Sequence, residues 1–297
     1  MNITLHGISF DKEFAPFLEQ LIAVLQENRV GIFLSHQFYK AAIKAGANIS
    51  GHAFIEDRKL LADMDFVISV GGDGTLLDAV SYVGDYEVPM VGINTGRMGF
   101  LATIAKDEIE RAMKFLVAGE YTIEDRSLIS LDSDLSIDRE MRVFDGTAFG
   151  LNEFTVHKRD TSSMITVHTY IDGEYLNSYW ADGLIVSTPT GSTGYSLSCG
   201  GPLITPMAKN FVITPVSPHN LNVRPMVVPD DSVISLKIEG RTEKFLISLD
   251  SRSTAVDANV KLTVRKEKFV ARLVKFHDYN FFDTLRQKLN WGYDMRN

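Results

Sequence analysis

The stretch DFVISVGGDGTLLDAV, residues 65–80, decides how the first third of the chain folds. An apolar run over residues 66–70 ends in Gly71 and Gly72, followed by one carboxylate, Asp73, and a third glycine, Gly74. A helical segment follows over residues 76–83. Buried strand, tight turn and helix are the parts of a parallel α/β unit, and its turn lies at the carboxyl edge of the strand, where open sheets bind ligands. Glycines there let the backbone approach a phosphate, and amides at the helix start bind it. The spacing is neither that of a phosphate loop ending in Gly-Lys-Ser/Thr nor that of a dinucleotide fingerprint, because Leu77 stands where the third glycine would fall. Thr75-Leu76-Leu77-Asp78 reads as a capping box with Asp in place of Glu or Gln. If Thr75 caps the helix, the Asp73 side chain is free to accept a proton from a hydroxyl attacking phosphorus. The plainer reading makes Asp73 itself the cap.

Outward from this turn the same alternation continues. Apolar runs at residues 3–8, 30–34 and 88–93 read as strands. Phe14, Phe17, Leu18, Leu21, Ile22 and Leu25 fall at helical spacing, as do Ile109, Ala112, Met113 and Leu116. Residues 38–44 form a further helix, stopped by Gly46, and Gly119 stops the one at 109–116. From about Tyr121 the segments shorten and tend to alternate (127–131, 165–171, 233–238, 244–249, 260–264, 271–274), with turns at Asp145-Gly146, Asp172-Gly173 and Glu239-Gly240. The tail over 281–289 is helical again. The spacing predicts an α/β domain over residues 1–120 plus 275–297 and a β-rich domain over 121–274.

The chain has 297 residues, 45% of them apolar and 23% charged, as in a soluble globular protein. A net charge of −8 argues against a nucleic-acid binder, and no apolar run approaches the ~20 residues of a membrane helix. The single cysteine, Cys199, and the lack of a secretory pattern at the N-terminus lead to the expectation of a reducing cytoplasm. The seven histidines show no zinc spacing, so no protein metal site is expected.

Gly71-Gly72-Asp73-Gly74-Thr75 resembles the signature of the NAD kinases, which share it with diacylglycerol-type lipid kinases and, more distantly, phosphofructokinases. Further blocks narrow the choice. VGINTGRMGFLA, residues 91–102, is similar to the Gly-x-Asn-x-Gly-x-x-Gly-Phe-Leu segment of NAD kinases. Asn152-Glu153 resembles the pair with which they hold the adenosine of NAD. ADGLIVSTPTGSTGYSLSCGGPL, residues 181–203, matches their Asp-Gly, Thr-Pro-Thr-Gly-Ser-Thr-x-Tyr-Ser-Leu-Ser and Gly-Gly-Pro elements. Two departures stand out: Trp180 where a basic residue is common, and Asp250-Ser251-Arg252 where Asp-Gly-Gln is usual.

The resemblance implies a Rossmann-like N-terminal α/β domain with a parallel sheet, a β-rich C-terminal domain, and transfer of the γ-phosphoryl of ATP to the 2′-hydroxyl of the adenosine ribose of NAD. By it, Asp73 is the catalytic base and Gly71, Gly72, Thr75, Gly96 and Arg97 hold phosphate. Gly74, Asn152, Glu153, Asp182, Thr190, Thr193, Gly194, Tyr195, Ser196, Leu197 and Ser198 join Asp73 in holding NAD, with Asp182 toward the nicotinamide half and Tyr195 against adenine. Arg252 is expected to favour the product's added phosphate. A divalent cation, magnesium by preference, accompanies ATP to neutralise its charge, and a homo-oligomer, dimer or tetramer, is expected. A lipid kinase with the same glycine turn, for which no basic or amphipathic membrane surface is evident, and a non-catalytic dinucleotide sensor are the alternatives.

Overall fold

The computed structural model describes residues 1–9, 12–49, 51–96, 99–133, 144, 147–159, 163–258, 260–277 and 279–291. The chain divides into two compact units, Met1–Glu124 with Ala271–Asn297, and Asp125–Val270.

The first unit alternates strand and helix: β1 (Asn2–His6), α1 (Ala15–Glu27), β2 (Gly31–Ser35), α2 (His36–Ala45), β3 (Ala53–Ile55), β4 (Phe66–Gly71), α3 (Asp73–Val83), β5 (Met90–Asn94) and α4 (Ile109–Ala118). The strands pair in parallel in the order β5-β4-β1-β2-β3, with Leu5 opposite Ile68 and Val67 opposite Met90. All six residues of β4 are buried, which is why its sequence is a continuous apolar run rather than an alternating one. From β1 the chain builds outward to β2 and β3, then returns to β1's other side for β4 and β5. The reversal falls between β1 and β4, so the crevice of the sheet opens beside His6 and Gly71.

Helices α1 and α4 pack together and close the core with Leu18, Leu21, Leu25, Ile109, Met113 and Leu116. Each such buried leucine contributes roughly 1.5–3 kcal/mol of transfer free energy. Both α2 and α4 stop where the sequence predicts, on Gly46 at φ +85° and Gly119 at φ +78°. The three-residue edge strand β3 is too short to leave a pattern in the sequence.

The second unit is built from most of β6 (Tyr121–Ser133), β7 (Phe149–Gly150), β8 (Glu153–Lys158), β9 (Ile165–Ile171), β10 (Glu174–Ala181), β11 (Gly183–Ser187), the single turn α5 (Tyr195–Ser198), β12 (Asn210–Val216), β13 (Met226–Pro229), β14 (Ile234–Glu239), β15 (Lys244–Leu249), β16 (Arg252–Asp257) and most of β17 (Leu262–Phe276). The strands form two antiparallel arrays, β13-β12-β11-β8-β15-β16 and β10-β9-β14-β17. Their core holds Phe154, Val156, Phe211, Phe245 and Ile247 with Val167, Leu236 and Leu262. Asp172 (φ +52°) and Gly173 (φ +86°) make the β9–β10 hairpin turn that the Asp-Gly pair predicts.

Two strands expected at 260–264 and 271–274 are one, β17, fifteen residues long, and its Leu273 pairs with Met90 of β5. Helix α6 (Phe281–Leu289) follows in the first unit, its start capped by Asn280, whose Oδ1 accepts the Phe282 amide at 2.9 Å. The turn expected at Asp145-Gly146 lies outside the described residues. Among the described residues no helix is long and apolar enough to cross a membrane.

Candidate active site

In the first unit the site starts where β4 ends. Gly72 precedes α3 as its N-cap, without a side-chain cap, so amides of the first turn keep the capacity to bind an anion. The glycines around it differ in purpose. A Cβ on Gly71 would collide with the Thr75 side chain, and one on Gly99 with the Asp73 carboxylate, so the fold itself demands both. Among the described residues, a Cβ on Gly72 or Gly74 would meet no atom within 4 Å beyond its chain neighbours and its own helix, and neither residue has a positive φ. No described side chain requires glycine at these two positions, and the bare backbone leaves space for a ligand to approach closely.

Asp73 is not the free carboxylate that the capping-box reading expects. It is the first residue of α3, and its oxygens accept three consecutive backbone amides of the loop after β5: Phe100 on Oδ2 at 2.8 Å, and Leu101 and Ala102 on Oδ1 at 3.0 and 2.9 Å. The capping box itself does not form. Thr75 makes no cap, and Asp78 Oδ2 lies 2.9 Å from His6 Nε2 instead. The physical reason is proximity across the sheet edge. The loop after β5 folds over the β4 turn, tied by the Thr95 amide to the Gly71 carbonyl at 3.2 Å, and presents its amides to the nearest anion. Asn94 braces that loop, accepting the Gly96 amide on Oδ1 at 2.7 Å and donating from Nδ2 to the Ala102 carbonyl at 3.2 Å. Beside Gly96 opens a cleft of about 300 Å³ lined by Asn94, Thr95, Lys106 and Asp107. Arg97 lies outside the described residues.

In the second unit the organising group is one that the sequence reading left without a role. Asp250, at φ +51° in the β15–β16 turn, accepts the amides of Leu151 (2.8 Å), Asn152 (2.8 Å) and Glu153 (3.2 Å). This fixes the Asn152-Glu153 pair at the start of β8. The loop after β11 then packs onto the same pair: the Thr188 amide donates to the Asn152 carbonyl at 2.8 Å, and Gly191 has no room for a Cβ over the Asn152 backbone. Burial and the neighbouring Asp250 push the Glu153 carboxyl up to about 8, against the Tyr195 amide that donates to it.

A Cβ built on Gly194 would sit 3.2 Å from Glu153 Oε2 and 3.8 Å from Asn152 Nδ2, so Asn152, Glu153, Gly194 and Tyr195 come together as expected. Tyr195 is 39% exposed and stacks on His157 with centroids 5.5 Å apart. Burial lowers His157 in spite of the nearby Asp182. Asp182 Oδ1 pairs with Lys158 Nζ at 2.5 Å. His157 and Lys158 went unread in the sequence; their signal is the end of β8, where a core-facing run gives way to His-Lys.

Other loop residues turn inward. Thr190 accepts from Arg126 at 3.3 Å, Thr193 donates to the Thr190 carbonyl at 3.2 Å, and the buried Ser196 hydroxyl meets that of Thr214 at 2.8 Å. These hydroxyls shape the loop, while Leu197 is half-buried and Ser198 exposed. Arg252, expected to favour the product's added phosphate, donates to the carbonyls of Thr147 and Phe149, and its charge also acts on Asp250. Trp180 rests against His219, ring centroids 4.3 Å apart.

The model of the ATP-NAD kinase N-terminal domain matches residues 35–121, and that of the ATP-NAD kinase C-terminal domain matches residues 151–276. The NAD kinase of Cytophaga hutchinsonii is 51% identical over the full length of both chains, and that of Flavobacterium psychrophilum 45%. The chain belongs to the NAD kinase family.

Among solved structures, yeast NADH kinase complexed with NADH superposes with a TM-score of 0.84 at 21% identity, covering 100% of this chain and 89% of that one, and so shares the fold. An NAD kinase from Archaeoglobus fulgidus in complex with ATP superposes with a TM-score of 0.75 at 26% identity, over 98% and 99% of the two chains. Neither the lipid kinase nor the sensor finds support in these relatives. Within the NAD kinase family frame, Gly71–Thr75 falls in the N-terminal domain match, and Asn152, Glu153, Asp182 and the 190–198 loop in the C-terminal one.

Proposed function

We propose that this member of the NAD kinase family transfers the γ-phosphoryl of ATP to the 2′-hydroxyl of the adenosine ribose of NAD. The reading is supported most by Gly72 and Gly74, two glycines that the fold does not need, at the anion-binding start of α3 in a chain whose two halves match the two ATP-NAD kinase domains. In this reading the amides around Gly71 and Gly72, with Thr75 and Gly96, hold phosphate oxygens, and Gly74 lets NAD approach the start of α3. Asn152, Asp182, Gly194 and Tyr195 face the dinucleotide, Glu153 lies against the Gly194–Tyr195 segment, and Thr190, Thr193 and Ser196 keep the loop in shape.

A carboxylate has about four lone-pair directions, and the loop amides take three of those of Asp73. The fourth, on Oδ2, has no partner among the described residues and is the direction to accept the proton of the attacking hydroxyl. The clasp fixes the carboxylate so that this direction is constant, at the cost of its freedom to move.

A divalent cation accompanies the nucleotide in this reading and spreads the charge of the transferring phosphoryl group. Among the described residues no group of three or more His, Cys, Asp or Glu side chains could hold such an ion. Such an ion would be held by the phosphate oxygens of the nucleotide, as magnesium commonly is. A homo-oligomer is supported by apolar side chains at the surface of the second unit, among them Tyr175, Trp180, Leu221 and Met226. A reducing, cytoplasmic setting accords with a single unpaired cysteine.

The test is one assay: purified protein, ATP, magnesium and NAD, with NADP measured by an NADP-specific dehydrogenase. NADP accumulating in proportion to enzyme supports the reading. Its absence with both ATP and polyphosphate as donors overturns it.

A further inference from the structure

Glu153 and Asp250 are neighbouring acids tied through the backbone, the Glu153 amide donating to Asp250 Oδ1 at 3.2 Å and the Asp250 amide to the Glu153 carbonyl at 3.0 Å, and the structure treats them unequally. Burial raises the Asp250 carboxyl, but three backbone amides and the nearby Arg252 guanidinium pull it back down. Glu153 is 9% exposed; it receives the Tyr195 amide, and its Oε2 has neither solvent nor a hydrogen-bond partner among the described residues. Two neighbouring acids in a poorly solvated site resist being charged together, and the proton goes to the one with fewer donors. That one is Glu153. A neutral acid has one O–H to give and one C=O to receive the Tyr195 amide, whereas a carboxylate in the same place sets a second buried charge against Asp250.

We propose that Glu153 is a positioning residue that works as a neutral carboxylic acid, seating the Gly194–Tyr195 segment against Asn152, and that losing its proton unseats this segment and weakens dinucleotide binding. The inference rests on the reading that NAD binds to this loop, and it reverses the part expected of Glu153, from charged acceptor to proton-holding anchor. The groups around it leave it the first to titrate on the alkaline side. Burial holds His157 below its ordinary value, while it holds the Tyr195 phenol and the Cys199 thiol above theirs. The acid is pushed up to about 8, so binding is intact at neutral pH and declines as pH rises through that region.

The experiment is calorimetric titration of the full chain with NAD from pH 6.5 to 9.5, in buffer pairs of different ionisation enthalpy. The wild-type Kd is expected to be flat below pH 7 and to rise about tenfold or more by pH 9.5, with proton uptake on binding near pH 8.5. In Glu153→Gln, whose side chain cannot ionise, the ratio of Kd at pH 9.5 to that at pH 7 is expected to stay within about twofold. A wild-type Kd that is flat to pH 9.5, or binding at pH 8.5 without proton uptake, overturns the proposal. An equal rise in Glu153→Gln overturns it too, because the titrating group is then another one. If Glu153→Gln does not fold, the proton uptake of the wild type decides alone. Failure to bind NAD at any pH, by contrast, removes the reading on which the proposal stands and takes the proposal with it.

Discussion

Replacing Asp73 with Asn is the sharpest test of the first unit, because the structure gives this residue two duties that the substitution affects differently. As a clasp it holds three amides at 2.8–3.0 Å. Hydrogen bonds to a charged group are worth about 1.5–3 kcal/mol each, and neutral ones about 1. Asn keeps one oxygen, with its two amides at the weaker value, but turns an NH₂ toward the Phe100 amide and leaves that donor unpaired. Allowing for partial exposure of the residue, the loss comes to roughly 2–4 kcal/mol. At about 2–4 °C per kcal/mol for a domain of this size, Tm should fall by roughly 5–12 °C. As a base, Asp73 contributes about a hundredfold or more to turnover.

Gly99→Ala disturbs the clasp without removing the charge, because its Cβ would collide with the Asp73 carboxylate and push it off the amides. Since the clasp also aims the base, both Tm and kcat should fall in both variants, as scanning calorimetry and NADP formation would show. A kcat in Asp73→Asn within about tenfold of the wild type would refute a base role and leave Asp73 as a clasp alone. An unchanged Tm in Asp73→Asn would refute the clasp.

Four further outcomes follow from named contacts. Gly71→Ala should cost about 1–3 kcal/mol through its collision with Thr75, whereas Gly74→Ala should leave stability unchanged or raised by up to ~1 kcal/mol through helix propensity while raising the KM for NAD. Arg252→Gln should lower stability by roughly 2 kcal/mol, through its lost bonds to the Thr147 and Phe149 carbonyls, and leave NADP affinity within twofold in a binding assay. The folded-state value of about 8 for Glu153 stands above the unfolded 4.5, so the native state holds a proton that the unfolded chain has released; stability should therefore fall between about pH 5 and 8, by at most ~5 kcal/mol, and Glu153→Gln should flatten that profile in denaturant titrations. Chelating divalent cations should abolish NADP formation yet leave the Tm of the nucleotide-free protein unchanged, which thermal scans with and without chelator check directly.

What could be read from the chain and what could not divide along a physical line. Side-chain patterns carried the fold: the apolar run of β4, the helical spacing in α1 and α4, and the glycines that end α2 and α4 are all consequences of burial or backbone geometry that a residue's identity reveals. The misreadings share a cause. The capping-box pattern of Thr75 and Asp78 leaves Asp73 free in the sequence, but its partners are amides 27–29 positions away. Arg252 binds carbonyls more than a hundred positions earlier, and Asp250 organises amides nearly as distant. Every residue but proline carries an amide, and all carry a carbonyl, so their letters say nothing about which of these will be near a given charge. β17 was split in two for the opposite reason: its middle alternates between charged and half-buried positions, which resembles a break until the pairing strands are seen.

Cys199, the only thiol of the chain, receives a hydrogen bond from Tyr195 at the end of α5. A fluorinated tag attached there would report on the ring next to it by its resonance frequency, without any other cysteine having to be removed first. Because burial makes this thiol a weaker acid than usual, attachment calls for mildly alkaline buffer and patience, and adding substrate before the reagent would show by its protection whether the loop has company.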